Sequence, residues 1–433
     1  MKAIYVLYLV FLILLLGCQP VSTTAPAVIS TVDQNDGATS SISNISPASE
    51  IVTPSIILAS PEKPNLDKTV SITTTIPTVD PTKQGQTVLG YDPLESLSSC
   101  ANTSDSLHGK ILFGANWDGF SELYFISLPK MEITPVLATL LGDKVSAQWL
   151  PNGTGVVFLL RQNTFELYKL DFSTKNVSVI GNSELFPLAP FTYAKNSNSV
   201  AFASKNGISI YDLIREEHED IKRNEDIALI SPQFSPTQDK IAFQTAIDTV
   251  QSRWRIIIQD LESGERAMVK TSSFSDDAFI WHPNGESIII NSHFLEHPNA
   301  DKLFLYKILD GSLLELDSFS GLKHNLTISP NGEWLAFSST LWEFDEGSQQ
   351  SIIAGRSIHF INLVSLELSQ IKIESESSLE GIDWSPDSRF ISYIENNQEG
   401  GNTALKLFNI CNGASQILVE DINPLQSTDW LNK

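Results

Sequence analysis

The sequence offers few residues in arrangements that could do chemistry. Its seven histidines include one close pair, His293 and His297, at the spacing that places two metal ligands on one helix face. Pro298 follows at once and the segment falls between two expected strands, so we interpret it as a solvated loop and predict neither a metal nor a cofactor. The sequence lacks a Gly-x-Ser-x-Gly motif, a phosphate-binding glycine-rich loop and a zinc-type cysteine pair. These observations favour a binding protein over an enzyme.

Longer segments between expected strands supply the candidate binding residues, because binding residues concentrate on loops held by a rigid scaffold. These segments are 244–253, 291–302, 338–356 and 395–403, and the third is the longest. Aromatic side chains there could stack on a sugar ring or anchor a peptide, and acidic ones could accept hydrogen bonds. The predicted ligand-binding residues are Arg161, Arg253, Trp254, His293, Trp342, Glu343 and Asp345. The alternative for Trp254 and Trp342 is that they only fill loop interiors.

Charge narrows the range of partners. With 51 acidic and 28 basic residues the chain carries a net charge of −23. Nucleic-acid backbones and anionic lipid surfaces both require a basic face, so neither is expected as a partner. The same charge also fits a soluble acidic surface that has no bearing on partners. We expect a monomer whose ligand is a protein, a peptide or a glycan.

The N-terminus predicts export and anchoring. Lys2 precedes an unbroken apolar run, Ile4 to Leu16, which is short for a membrane span and typical of a signal peptide. The run ends in Leu15-Leu16-Gly17-Cys18, which resembles the lipobox of bacterial lipoproteins. This resemblance implies cleavage after residue 17, acylation of Cys18, and attachment to the cell membrane or outer membrane with the protein body outside the cytoplasm. An uncleaved N-terminal anchor is the alternative.

Residues 18–98 are predicted to be a disordered spacer. The segment is rich in Ser, Thr and Pro, and no aromatic residue occurs between Phe11 and Tyr91. A segment with so few large side chains cannot bury enough surface to offset the entropy lost on ordering. The folded part is therefore expected to span residues 99–433.

Beyond residue 99 a turn motif recurs, in which an aromatic or apolar residue precedes Pro by two positions and a short strand follows. The copies are Trp149-Leu-Pro151-Asn-Gly153, Phe234-Ser-Pro236, Trp281-His-Pro283-Asn-Gly285, Ile328-Ser-Pro330-Asn-Gly332 and Trp384-Ser-Pro386-Asp, with a degenerate copy at Tyr193-Ala-Lys195-Asn and a last start at Thr428-Asp-Trp430. Successive copies are separated by 44, 41, 47, 47, 56 and 46 residues. Repeats in the forties, each with four short strands, indicate the blades of a β-propeller.

The turn motif followed by Ile-Ala-Phe resembles the repeat of TolB-type propellers, and Asn116-Trp117-Asp118-Gly119 resembles the other turn of that repeat. This resemblance covers about 330 residues and implies a propeller fold. TolB-type proteins have six blades and a separate N-terminal α/β domain, whereas the present repeats number seven and follow a spacer. The Tol–Pal partnership of that family is therefore not carried over.

The two ends of the repeat array complete each other. The first unit begins at its second strand, Lys110 to Phe113, and the C-terminus provides an unpaired first strand around residues 427–431. Together they make one closing blade, which removes the open ends of a linear array. Cys100 and Cys411 then approach the seam from the same face, so we predict a disulfide between them; two free buried thiols are the alternative.

The fold class predicted is thus all-β: a seven-bladed β-propeller whose C-terminal strand closes the first blade, preceded by a disordered tether. The function predicted is a lipid-anchored, extracytoplasmic binding module for a glycan, a peptide or an envelope protein. The alternative is a propeller lyase or hydrolase, which requires histidine and carboxylate side chains to converge at the mouth of the central channel.

Overall fold

The computed structural model describes residues 86–87, 100 and 107–431, except for short gaps. The gaps are 118–120, 137–139, 141, 151–152, 163–164, 182–190, 195–197, 223–226, 249–250, 252, 296–300, 318, 348, 374–376, 398–401 and 423–427. All of the described residues belong to one compact unit, Asp67–Lys433. The predicted signal peptide, Cys18 and almost all of the predicted spacer lie outside the described residues. Within the described part of the chain, no helix has the length and hydrophobicity needed to cross a bilayer.

The described residues form seven antiparallel sheets, six of four strands and one of five, arranged as a seven-bladed propeller, which confirms the predicted all-β fold. In chain order the strands are β1 (Gln86–Thr87), β2 (Gly109–Ala115), β3 (Glu122–Leu128), β4 (Glu132–Pro135), β5 (Asp143–Trp149), β6 (Gly155–Arg161), β7 (Phe165–Asp171), β8 (Val177–Gly181), β9 (Thr192–Ala194), β10 (Ser199–Ser204), β11 (Gly207–Asp212), β12 (Glu217–Lys222), β13 (Leu229–Phe234), β14 (Lys240–Asp248), β15 (Arg253–Asp260), β16 (Arg266–Met268), β17 (Ser275–Trp281), β18 (Ser287–His293), β19 (Lys302–Lys307), β20 (Leu313–Glu315), β21 (Leu322–Ile328), β22 (Trp334–Asp345), β23 (Gln350–Asn362), β24 (Leu368–Ile373), β25 (Ser377–Trp384), β26 (Phe390–Asn397), β27 (Asn402–Asn409), β28 (Ala414–Glu420) and β29 (Asp429–Leu431). Blade 1 is β29-β2-β3-β4, and blades 2 to 7 take the next strands in groups of four.

The first strand of each blade lies innermost, around the central channel. First strands of successive blades contact one another, as β17 does with β21 and β21 with β25. The tryptophan that ends such a strand reaches back to the preceding blade: Trp149 Nε1 donates to Asp429 O at 3.1 Å, and Trp281 Nε1 donates to Gln233 O at 3.1 Å. Trp384 Nε1 likewise donates to a carbonyl of blade 6. The repeated aromatic residue of the turn motif therefore joins neighbouring blades.

The second strand of each blade supplies most of the core. Its residues are apolar on both faces, as in Val156-Val157-Phe158 of β6 and Ile288-Ile289-Ile290 of β18, and all six of these side chains are fully buried. Blades stack face to face, so both faces of a middle strand are covered and the usual alternation of polar and apolar residues is lost. This explains the short continuous apolar runs in the sequence.

Closure of the ring takes place as predicted. β29 pairs with β2 in blade 1, with Ile111 opposite Trp430 and Lys110 opposite Leu431. The predicted disulfide is confirmed as well: Cys100 is bonded to Cys411, with a Cα–Cα distance of 5.6 Å. Cys411 lies in the turn between β27 and β28 of blade 7, which is the neighbour of the closing blade. β29 thus completes blade 1, and the disulfide attaches the segment before β2 to blade 7, where Cys100 packs among core residues of blades 6 and 7.

The expectation of a long loop at residues 338–356 is wrong. Most of that segment extends β22 and β23 into a projecting hairpin whose register continues to Asp345 opposite Gln350. Aromatic and β-branched side chains such as those of Trp342 and Ile352 favour a pleated strand. Pairing between the two strands outweighs the polar composition of the segment. The other three segments are also shorter than expected, because β14, β18 and β26 continue beyond the boundaries we assigned.

A further difference concerns the predicted spacer, 18–98. Gln86 and Thr87 form the short strand β1, which pairs antiparallel with Ser415 and Ala414 of β28. Blade 7 therefore has a fifth, outermost strand. Part of the segment that we assigned to the spacer thus belongs to the propeller, and the folded part begins before residue 99.

Candidate functional site

All seven predicted binding residues lie toward one side of the propeller, called here the hairpin face. On this side the second and third strands of each blade are joined, at residues 161–165, 248–253, 293–302 and 345–350. Arg161 ends β6, Arg253 and Trp254 begin β15, His293 ends β18, and Trp342, Glu343 and Asp345 lie in the outer part of β22. The connections into the innermost strands reach the same side, so this face surrounds one mouth of the channel.

Three of the seven residues meet around the segment 273–277, which leads into β17. The Arg253 guanidinium lies 5.0 Å from the centroid of the Phe274 ring, and its Nε donates to Phe274 O at 3.2 Å. The Phe274 ring in turn contacts the imidazole of His293, with centroids 6.5 Å apart. The N–H of Trp254 donates to Ser275 Oγ at 3.0 Å. Blades 4 and 5 thus combine a cation, an aromatic ring and an imidazole at the channel mouth.

The other four residues lie on different blades. Arg161, on blade 2, forms an ion pair with Asp143 at 2.7 Å and keeps 41% of its side chain exposed. An ion pair so accessible to water contributes little to stability. Trp342, Glu343 and Asp345 lie on the projecting hairpin of blade 6, where Glu343 is exposed and the other two are half-buried. These four residues do not join the group around His293.

Asp277, His293 and Asp301 form the Asp–His cluster, in which one donor atom from each residue lies within 4.8 Å of the others. His293 Nδ1 is 2.8 Å from Asp301 Oδ1. This hydrogen bond raises the pKa of His293. Burial would raise the pKa of Asp301, but hydrogen bonds from His293, Lys323 and Asn291 outweigh it and lower that pKa. Sequence reasoning missed Asp277 and Asp301; it named His293 as a candidate binding residue but assigned it to a solvated loop.

Two adjacent acids, Asp276 and Asp277, have opposite environments. Asp276 is fully buried and accepts hydrogen bonds from three hydroxyl groups, including Ser273 Oγ at 2.7 Å and Ser292 Oγ at 2.8 Å, with Thr271 as the third donor. Asp277 is the extra residue of a β-bulge in β17, and it is exposed. Bulges redirect side chains and are frequent at functional sites. Asp276 is therefore structural, whereas Asp277 presents its carboxyl group to the channel mouth.

Titratable side chains occupy the same position of the innermost strand in three consecutive blades. Asp277, His324 and Glu380 each stand four residues before the residue that begins the turn motif. Burial raises the pKa of Asp277, raises that of Glu380 to about 7 and lowers that of His324. Asp277 and His324 are nonetheless reached by water, as expected of side chains on the wall of a channel, where protein surrounds a narrow column of solvent. The fixed offset from the motif is a sequence signal that could have identified them.

Two buried lysines lie near the start of innermost strands, Lys144 in β5 and Lys323 in β21. Lys144 and Lys323 occupy equivalent positions, each two residues after a glycine whose φ is positive, Gly142 at 119° and Gly321 at 148°. Both side chains are fully buried, and Lys323 Nζ donates to Phe319 O at 2.9 Å and lies 3.4 Å from Asp317. Burial lowers the pKa of both lysines. A Gly-x-Lys sequence at the start of an innermost strand thus recurs in two blades of this propeller, and our sequence reasoning overlooked it.

His282 and His359, two further histidines, have structural roles. His282 replaces the serine of the turn motif, and its Nδ1 accepts the N–H of Asn284 while Nε2 lies 3.0 Å from Gly332 O in the next blade. His359 is fully buried, and its Nε2 lies 2.8 Å from Ser339 Oγ. Both fix blade geometry at a distance from the Asp–His cluster. His297 lies outside the described residues.

The sequence matches no family model and no curated protein. Solved structures similar to the propeller include TolB from Acinetobacter baumannii, at 15% identity and a TM-score of 0.45, covering 75% of this chain and 67% of that one. Another is an oligogalacturonate lyase in complex with manganese, at 12% identity and a TM-score of 0.52, covering 72% and 85%. A third is a protein from Lactobacillus plantarum, at 12% identity and a TM-score of 0.50, covering 75% and 100%. Similarity at this level of identity reflects the fold alone. The chain is a seven-bladed β-propeller, and TolB is among its structural neighbours.

Proposed function

We propose that this protein is an exported binding module whose hairpin face binds a glycan at the channel mouth. The observation that carries this proposal is the convergence of Asp277, His293 and Asp301 from blade 5 beside Arg253 of blade 4. Carboxylates accept hydrogen bonds from neighbouring sugar hydroxyls, while the guanidinium and imidazole donate them. Trp254, which follows Arg253 on β15, provides a ring on which a sugar can stack.

The channel wall extends this polar surface inward. His324 and Glu380 follow Asp277 around the ring on the next two blades, and burial moves the pKa of both groups in the direction that favours the neutral form. Neutral groups that both donate and accept hydrogen bonds suit an uncharged, hydroxyl-rich ligand. The net charge of −23 disfavours a strongly anionic polymer.

Location outside the cytoplasm is part of the proposal. A disulfide joins residues 311 positions apart, and such bonds persist in oxidising compartments. The N-terminal apolar run and Cys18 add a predicted signal peptide and lipid anchor. The proposed arrangement is a propeller attached to the membrane through its N-terminus, with the intervening chain as a spacer.

The test is a glycan array with the full-length protein purified in detergent under non-reducing conditions. We expect a reproducible hit that free ligand competes away and that Asp277→Asn and Arg253→Gln weaken at least tenfold. Trp342→Ala is the matched control on the same face. If Trp342→Ala alone abolishes binding, the site lies on the blade 6 hairpin and the assignment to the Asp–His cluster is wrong. A blank array from folded protein contradicts glycan binding and turns the search to peptides and envelope proteins.

The second candidate is a lyase or hydrolase acting at the channel mouth. It is favoured by one observation: an imidazole with a raised pKa, His293, lies beside a carboxyl group with a raised pKa, Asp277. Two titratable groups held close together can act as acid and base. Release of new reducing ends from a panel of polysaccharides, lost in His293→Gln, supports this candidate; binding without turnover contradicts it.

A further inference from the structure

The Asp–His cluster has the composition and spacing of a metal site. Its donors are one imidazole nitrogen and two carboxylate oxygens, all within 4.8 Å of one another. Atoms bound to one ion at about 2.1 Å necessarily lie within roughly 4.2 Å of each other, so only a small adjustment separates the present arrangement from coordination. Three protein ligands leave further positions open for water or a ligand group.

We propose that Asp277, His293 and Asp301 bind a divalent transition-metal ion, Mn²⁺ or Zn²⁺, at the channel mouth. A mixed set of imidazole and carboxylate suits these ions, whereas Ca²⁺ and Mg²⁺ prefer oxygen ligands throughout. This inference rests on the proposed function in one respect, since it assigns to the same site the ion through which a glycan would be held. Metal binding itself is independent of any glycan.

The surroundings of Asp301 are those of an oriented ligand. Asp301 is 5% exposed, and its Oδ2 atom accepts the N–H of Lys323 at 3.0 Å and Asn291 Nδ2 at 3.2 Å. Only Oδ1 is left to face His293. Hydrogen bonds of this kind fix a ligating carboxylate and are a regular feature of metal sites.

A second observation is an unsatisfied oxygen beside the cluster. Asn291 lies two residues before His293 on β18, so the two side chains share one face of the sheet. Asn291 is 2% exposed, its amide donates to Asp301 and to Lys323 O, and its Oδ1 has no hydrogen-bond partner among the described residues. A buried carbonyl oxygen left without a donor destabilises the fold, because it has lost its hydrogen bonds to water and gained none. An ion or its bound water beside Asp301 would supply the missing partner.

Charge within the cluster points the same way. Asp277 and Asp301 bring two carboxyl groups within 4.8 Å of each other, where like charges repel. The buried Lys323 directs its ammonium to Asp317 and to backbone carbonyls, including that of Asp301, and forms no ion pair with the Asp301 carboxylate. A divalent ion between the two carboxylates would remove the repulsion. The hydrogen bond between His293 and Asp301 would then be replaced by two metal bonds.

Full-length protein treated with EDTA and dialysed is titrated with Mn²⁺, and free Mn²⁺ is followed by its EPR signal; Zn²⁺ is then added as a competitor. We expect one Mn²⁺ bound per chain and displaced by Zn²⁺. Asp277→Asn and His293→Gln should weaken binding about tenfold or more, and Asn291→Ala by about 10- to 100-fold, as for loss of a residue that orients a ligand. Glu346→Gln removes an exposed acidic group from the same face and should leave the affinity unchanged.

Absence of bound Mn²⁺ and Zn²⁺ in the wild type overturns the proposal, as does binding that the Asp277 and His293 variants leave intact. Asp277 is exposed, so Asp277→Asn is expected to fold even if His293→Gln does not; thermal melts of each variant verify this. The two proposals fail separately. Glycan binding by a protein that takes up neither Mn²⁺ nor Zn²⁺ rejects the metal site alone, whereas stoichiometric metal binding with a blank array rejects glycan binding alone.

Discussion

The Nδ1 atom of His293 lies 2.8 Å from Asp301 Oδ1, which connects the last residue of β18 to the residue just before β19. This contact spans the hairpin between the second and third strands of blade 5. It holds Asp301 over the backbone of Lys323 in blade 6. A histidine that the sequence placed in a solvated loop is therefore half-buried and joined to two blades.

Removal of the disulfide should destabilise the propeller. Cys100 and Cys411 are 311 residues apart, and in the chain-entropy model so long a closed loop contributes at most about 6 kcal/mol. We expect Cys100→Ser with Cys411→Ser to lower the urea midpoint. Dithiothreitol should lower the wild-type midpoint equally and leave the double variant unaffected. Equal midpoints in all samples would show that β29–β2 pairing alone closes the ring.

Trp430 should be the most sensitive position of the closing strand. It is 8% exposed, and its Nε1 donates to Ser392 Oγ at 2.8 Å across the seam between blades 7 and 1. Trp430→Ala should reduce the free energy of unfolding by about 3–5 kcal/mol. The control, Trp342→Ala on the projecting hairpin, should cost much less, as measured by urea denaturation. Comparable losses at both positions would contradict this account of closure.

His359 should make the fold sensitive to acid. Burial, reinforced by the charge of Lys323, lowers the pKa of His359 to about 4 from 6.5. Between these values the unfolded chain binds a proton that the folded chain does not, so the free energy of unfolding falls as the pH falls, by at most about 3 kcal/mol. Urea unfolding from pH 7 to pH 4.5 should show a shallower decline in His359→Gln. The exposed His218→Gln is the control, and an equal effect there would count against this explanation.

Glu380 should act in the opposite direction. Burial raises its pKa to about 7 from 4.5, so the folded chain keeps a proton that the unfolded chain loses. Its contribution to stability is present below pH 4.5 and is lost as the pH rises through 7. Glu380→Gln should therefore be more stable than the wild type at pH 8, by at most about 3 kcal/mol, and equally stable at pH 4. Thermal melts at both pH values test this, and a variant less stable at pH 8 refutes it.

Cys18 should determine membrane attachment. If the lipobox resemblance holds, Cys18→Ser removes the acylated residue and the protein leaves the membrane fraction. Cell fractionation and labelling with radioactive palmitate are the measurements. Cys100→Ser should remain attached and labelled. Retention of Cys18→Ser in the membrane would favour the alternative of an uncleaved apolar anchor.

Much of the fold followed from local sequence. Four Pro-Asn-Gly or Pro-Asp turns, at Pro151, Pro283, Pro330 and Pro386, mark blades because proline presets the backbone φ that such a turn requires. The apolar runs of the middle strands show burial on both faces directly. Closure could also be inferred from the two incomplete ends of the repeat array. The first unit lacks its first strand, and the last strand of the chain can supply it.

The length of the hairpins could not be read in the same way. Residues 338–356 are polar enough to resemble a loop, yet pairing between Trp342 and Ile353 extends both strands. Backbone hydrogen bonds between strands depend on register with a partner, and local composition does not contain that register.

By itself, the sequence determined the blade count, the closing strand, the disulfide pairing and the side of the propeller on which the candidate residues lie. Periodic turns and paired ends carry this information locally. Only the tertiary structure decided which residues meet there. Asp277, His293 and Asp301 come from a bulge, a strand end and the residue just before the next strand, and they converge because β17, β18 and β19 pair side by side within blade 5.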